Sequence, residues 1–161
     1  MGGYISSKGV LDQSLKIELS KIYIKQIREI YKYKESKYAE CFDLNKSEFQ
    51  DVFSELLNKW EELYDLVRDG KDKADMYQAF AVLTIFSKDL FKEREQMLFE
   101  LFDFDQSGDI SLPELTLLLT SCINGLSKIT HVKTVEFEML QNLALKGWKV
   151  IDSDQSGVIE L

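Results

Sequence analysis

The sequence predicts an all-α fold. Apolar residues recur at spacings of three and four along most of the 161 residues, the pattern of amphipathic helices. One proline and eight glycines are too few turn-formers for an all-β sandwich, and 45% apolar with 12% aromatic residues is enough to build helical cores.

Taken in order, residues 1–10 read as a flexible N-terminus. A first helix is expected over residues 11–31, where Leu15, Leu19, Ile22, Ile27, Ile30 and Tyr31 form one stripe. A second is expected over residues 49–67, with Phe49, Val52, Phe53, Leu56, Leu57, Trp60, Leu63, Tyr64 and Val67 apolar. Asn45 is its expected N-cap, and Glu48 completes a capping box, because a carboxylate at the third helical position reaches back to the cap's N–H. Further helices are expected from Met76 through Phe86 and over residues 90–102, 113–123 and 134–151, making six in all.

Charge excludes some functions. Twenty Lys and Arg against 28 Asp and Glu leave a net charge of −8, the wrong sign for binding nucleic acid through phosphates. Residues 1–40 carry eight basic against five acidic residues, so the acidity lies after the first helix. That separation reads either as a basic helix facing one partner and an acidic remainder facing cations, or as a solvated helix face. Two cysteines without a CxxC pattern argue for a reduced, cytoplasmic protein without a disulfide framework. A single His131, placed in a linker, and the absence of a nucleophile–base motif, zinc spacing or phosphate-binding glycine loop leave no catalytic constellation, so no enzyme activity is expected. Cys41 and Cys122 read as buried small hydrophobes.

The most specific signal is the string from Asp103 to Glu114. A hard cation such as Ca²⁺ takes six to eight oxygens, and positions 1, 3, 5, 7, 9 and 12 of this string supply them. Asp103, Asp105 and Ser107 offer side-chain oxygens, Asp109 its carbonyl, Ser111 a direct or water-mediated oxygen, and Glu114 both carboxylate oxygens. Gly108 sits where the loop must bend sharply, Ile110 where a short strand should pair with a neighbouring loop, and Pro113 at a helix start, where its missing N–H costs nothing. The alternative is an acidic helix–helix turn, but every liganding position, the glycine and the apolar position agree at once.

A second string starts at Asp152 and matches the first through position 10, with Asp154, Ser156, Val158 and Glu160 at ligand positions and Ile159 placed to pair with Ile110. It lacks a twelfth-position carboxylate. Weak Ca²⁺ binding, or a hydrated site of the kind Mg²⁺ prefers, is expected there. The ending inside the motif predicts a truncated chain.

These strings resemble EF-hands, and the layout is similar to the calmodulin superfamily, most closely its neuronal calcium sensor and calcineurin-B-like branches, with a ciliary or protist relative as a further match. The resemblance implies four EF-hands in two lobes, residues 11–88 and 89–161, with short two-stranded pairings between loops. The first two loops would be degenerate: one over residues 37–48, with Lys37 and Phe42 where a ligand and the bend belong and Leu44 at position 8, the other over residues 67–78, with Ala74 at position 8. Asp69, Asp72 and Asp75 in the latter read as a solvated turn. Glu95 departs from the family pattern, which has an apolar residue there.

The start fits the N-myristoylation pattern, with Gly2 as acceptor and Ser6 in place. One acyl chain binds membranes only marginally, so Lys8, Lys16, Lys21, Lys25 and Arg28 would supply the second, electrostatic signal. The function expected is a calcium-responsive adaptor, with Mg²⁺ as competitor. It would expose Phe99, Phe102, Leu115, Leu118, Leu119, Ile123 and Met139 to an amphipathic helix of a protein target, or else leave them as core. The rival expectation is a constitutive structural subunit of a cytoskeletal or ciliary assembly. No nucleic-acid partner is expected, and a membrane surface only if Gly2 is acylated.

Overall fold

The computed structural model describes residues 13–39, 41–130, 132–152 and 156–160. Gly2, Ser6, Lys8, His131 and Asp154 lie outside the described residues. Within them the chain is mostly helical: α1 (Gln13–Leu19), α2 (Ile24–Tyr38), α3 (Lys46–Phe53), α4 (Trp60–Arg68), α5 (Met76–Phe86), α6 (Phe91–Phe102), α7 (Leu112–Thr130) and α8 (Phe137–Ile151). Four two-residue strands join them: β1 (Asp43–Leu44), β2 (Ala74–Asp75), β3 (Asp109–Ile110) and β4 (Ile159–Glu160). No described helix is long and apolar enough to cross a membrane.

Among the described residues, eight helices stand where six were expected. The stripe over residues 11–31 is broken after Leu19: the Ser20 hydroxyl donates to the Ile17 carbonyl (2.9 Å), and the first N–H of α2, that of Ile24, donates to the Asp89 carboxylate (2.7 Å). The stripe over residues 49–67 is broken after Phe53. There the Glu18 carboxylate accepts from the backbone N–H of Asn58 (2.7 Å), the Asn58 side chain (2.9 Å) and the N–H of Lys59 (3.3 Å), giving α4 a start of its own. Helix α7 runs seven residues beyond the expected end at Ile123, and α8 begins at Phe137 rather than near Thr134.

The capping box at α3 is formed as expected. Asn45 Oδ1 accepts from the N–H groups of Ser47 (2.9 Å) and Glu48 (3.0 Å), while Glu48 accepts from the Asn45 N–H (2.8 Å). Asp75, by contrast, is no solvated turn residue. It caps α5, accepting from the Gln78 backbone N–H at 3.0 Å and the Gln78 side chain at 2.9 Å.

Helix α5 is the most deeply buried, with eight of its eleven residues removed from solvent, and packs against α2, α4, α6 and α7. Its Phe80 ring meets Tyr31 of α2 edge-on (5.3 Å between centroids) and Phe53 of α3 (5.1 Å). Phe53 in turn stacks on Phe49 at 4.2 Å. At the α5–α7 crossing Gly125 lets the helices close: a Cβ there would meet Val82 Cγ2 at 2.6 Å. One charge is wholly buried in the packing, Lys34 of α2, whose ammonium donates to Glu35 at 2.8 Å and lies 5.7 Å from the centre of the Tyr77 ring.

The strands pair antiparallel in two sets, Leu44 opposite Ala74 and Ile110 opposite Ile159. The first set joins the α2–α3 and α4–α5 units, and the second joins the loop between α6 and α7 to the segment that follows α8. The pairing of Ile110 with Ile159 holds the two acidic strings side by side.

Candidate metal centre

The string from Asp103 to Glu114 joins the end of α6 to the first turn of α7. Its bend is made by two left-handed residues, Gln106 (φ 56°) and Gly108 (φ 84°), and glycine accepts such a conformation without Cβ strain. Backbone N–H groups then turn inward. Ser107 N–H donates to Asp103 (3.0 Å) and Asp105 (3.1 Å), and Gly108 N–H donates to Asp103 (3.0 Å). The Ser107 hydroxyl donates to the Asp109 carbonyl at 3.2 Å, placing those two predicted ligand atoms together. Hydrogen bonds from Ser107, its side chain first and its backbone second, hold the Asp105 carboxyl below its ordinary value.

Glu114 closes the loop from the far side. It is only 8% exposed, and its Oε1 accepts from the Phe104 N–H at 3.0 Å. Its Oε2 accepts from the N–H (2.8 Å) and hydroxyl (2.6 Å) of Ser111, which begins α7 in a capping arrangement. The Ser111 hydroxyl therefore supports Glu114. The result is that one oxygen from each of Asp103, Asp105 and Glu114 lies within 4.8 Å of the others.

Three carboxylates that close repel one another, and the donor set is entirely oxygen, with no sulfur or imidazole. It therefore fits a hard divalent cation such as Ca²⁺, with Asp103, Asp105, Ser107, the Asp109 carbonyl and Glu114 as the residues that would hold it. Such an ion would supply the positive charge that these carboxylates lack.

The second string repeats part of this geometry. Gly157 is left-handed (φ 82°) and its N–H approaches both Asp152 oxygens at 3.3 and 3.2 Å. The Ser156 hydroxyl lies between two acceptors, Asp152 (3.2 Å) and the Val158 carbonyl (3.1 Å), as the Ser107 hydroxyl lies between Asp103 and the Asp109 carbonyl. Glu160 lies in β4.

Beside the first loop is an apolar cavity of about 310 Å³, lined by residues of α5, α6, α7 and α8 and by the paired Ile110 and Ile159. Of the expected groove residues, Phe99, Leu115 and Leu118 line it. Phe102 does not: it is buried in the core against Tyr77. Leu119, Ile123 and Met139 are also outside the lining, and Met139 is 63% exposed on α8. Ile85, Phe91, Leu98 and Ile151, with the charged Arg94 and Glu95, complete the wall, a set that the spacing within any one helix does not reveal.

Two further expectations change. Arg28, named among the basic residues of the electrostatic membrane signal, makes a two-pronged ion pair with Glu100 of α6 (2.7 and 2.8 Å). Cys122 is buried as expected, whereas Cys41 is only half-buried.

No family model matches the chain, and no curated protein matches it.

Proposed function

We propose that this chain is a calcium-binding regulatory protein of the EF-hand type, a sensor or adaptor. One observation carries the reading: Glu114, whose carboxylate converges on Asp103 and Asp105, stands on α7 directly before Leu115 and one turn before Leu118, both in the wall of the apolar cavity. Any change in how Glu114 is held moves the start of α7, and with it that wall. This is the linkage by which sensor EF-hands turn ion binding into exposed apolar surface. The cavity then takes the apolar face of an amphipathic helix from a protein target, with Mg²⁺ competing for the loop and the protein acting in the cytoplasm.

A second reading, a constitutive structural subunit of a cytoskeletal or ciliary assembly, is favoured by the other two loops. There Asn45 and Asp75 are spent on capping α3 and α5 rather than turned toward a common point.

A calorimetric Ca²⁺ titration in about millimolar Mg²⁺, with hydrophobic-dye fluorescence in parallel, separates the two. The sensor reading expects saturable Ca²⁺ binding with dye uptake, and Glu114→Gln to weaken that binding on the order of tenfold or more while abolishing the uptake. Dye binding that is the same with and without Ca²⁺, or unchanged in the variant, overturns the sensor reading in favour of the structural one.

A further inference from the structure

A second cavity, about 240 Å³, lies away from the apolar one, between the first helix–loop–helix unit and the metal loop. Four aromatic rings line it: Phe42, Tyr77, Phe102 and Phe104. They form one continuous cluster, with Phe42 5.4 Å from Tyr77 and 6.1 Å from Phe104, and Phe102 5.6 Å from Tyr77 and 6.0 Å from Phe104. Two carboxylate residues, Asp43 and Asp75, line the same cavity.

Those two residues stand directly opposite one another in the β1–β2 pair. Like charges at directly opposed positions destabilise a strand pair, and no ion pair to either is found among the described residues. Asp75 spends its oxygens on the Gln78 cap, and the Gln78 side chain in turn accepts from the Lys128 ammonium of α7 at 2.8 Å. The cavity thus combines negative charge with aromatic surface.

The chemistry narrows the ligand. A hard divalent cation takes six to eight oxygens, which two carboxylates and the Ser121 hydroxyl do not supply. A neutral apolar molecule offers nothing to Asp43, which has no ion pair among the described residues, whereas Asp75 has the Lys128 ammonium nearby. An ammonium wrapped in methyl groups satisfies both features, because its charge is spread over a weakly hydrated surface that aromatic faces attract. The Tyr77 ring already carries a cation, the Lys34 ammonium, whose own charge is met by Glu35.

We propose that the cavity between Phe42, Asp43, Asp75, Tyr77, Phe102 and Phe104 is a binding site for a methylated ammonium group. It shares Phe104 with the metal loop but none of that loop's candidate ligands, and it does not depend on the calcium reading.

The test titrates the full chain, in the presence of a chelator, with choline and with its uncharged isostere 3,3-dimethyl-1-butanol, following the Phe and Tyr ring signals by NMR. Choline is expected to bind about tenfold tighter than the isostere, the signature of a charge on aromatic faces. Phe42→Leu and Asp43→Asn, both at exposed positions, are each expected to weaken choline about fivefold while the chain keeps its helical circular dichroism. Parallel arms with a trimethyl-lysine peptide and with phosphatidylcholine vesicles assign the source of the group to a protein side chain, a lipid headgroup or, where neither binds, a free small molecule. Equal affinity for choline and the isostere, no saturable choline binding, or choline binding untouched by both substitutions overturns the proposal.

Discussion

Phe104, the second residue of the metal loop, meets Tyr77 of α5 edge-on, with ring centroids 5.2 Å apart and planes at 85°. The same residue's N–H donates to Glu114, so one residue joins the loop's closing carboxylate to the buried middle of the molecule. Edge-to-face pairs contribute about 0.5–1.5 kcal/mol beyond their buried area. Phe104→Leu is expected to lower stability by about 1–2 kcal/mol and to weaken the proposed Ca²⁺ binding, although the ring offers no ligand atom. Urea unfolding and calorimetry of the Phe104 and Tyr77 single and double variants measure it. Strictly additive effects would show that the two rings do not communicate.

Gly125 sets how closely α5 and α7 approach. Alanine is the better helix former by about 1 kcal/mol, yet its Cβ would lie 2.6 Å from Val82 Cγ2, inside a fully buried valine. Overpacking costs about 1–3 kcal/mol, so Gly125→Ala is expected to destabilise the protein, and Val82→Ala in the same chain to recover part of the loss. Denaturant midpoints of the two singles and the double decide this. A stabilised Gly125→Ala would mean that the helices shift apart freely.

The two thiols should behave differently. Burial pushes the Cys122 thiol from about 9 up to about 12, because the thiolate would lose its hydration. Its neutral form belongs to the fold, so its contribution is fully present below pH 9 and is lost as pH rises from about 9 toward about 12. Near pH 8, a thiol-specific reagent is expected to modify half-buried Cys41 quickly and Cys122 only through opening of the α7 region. Labelling kinetics on the two Cys→Ala variants give the test, and equal rates would contradict the burial of Cys122.

Glu18 reaches across from α1 to the start of α4. Removing its carboxylate strands the N–H groups of Asn58 and Lys59, at a cost of about 1–2 kcal/mol, so Glu18→Ala should lower the urea midpoint while Glu18→Gln, which keeps an acceptor oxygen, loses less. Indistinguishable midpoints for the two would show that solvent serves as well as the carboxylate.

Much of the acidic string was legible because its instructions are local. The left-handed bend at Gly108 and the capping box joining Asn45 to Glu48 involve residues a few positions apart, where spacing alone sets the geometry. The β3–β4 pairing was expected from Ile110 and Ile159 at the same place in the two acidic strings, and the β1–β2 pairing only from the resemblance, which puts Leu44 and Ala74 at that place. The walls of both cavities were not legible, since each gathers residues from several elements and its shape depends on how those elements cross.

By itself, then, the sequence determined the helical class, the capping box at α3, the bend at Gly108 and the order of oxygen-bearing residues around Glu114, because each rests on a periodicity or spacing within about a dozen positions. The tertiary structure alone decided where the two long stripes break. Helical spacing runs across Ser20 and Ser54 almost undisturbed, so nothing local marks those ends. The helices start again where Asp89, 65 residues away, receives the Ile24 N–H, and where Glu18, 40 residues away, receives that of Asn58. A helix start needs acceptors for its first N–H groups, and here the folded chain brings them from elsewhere.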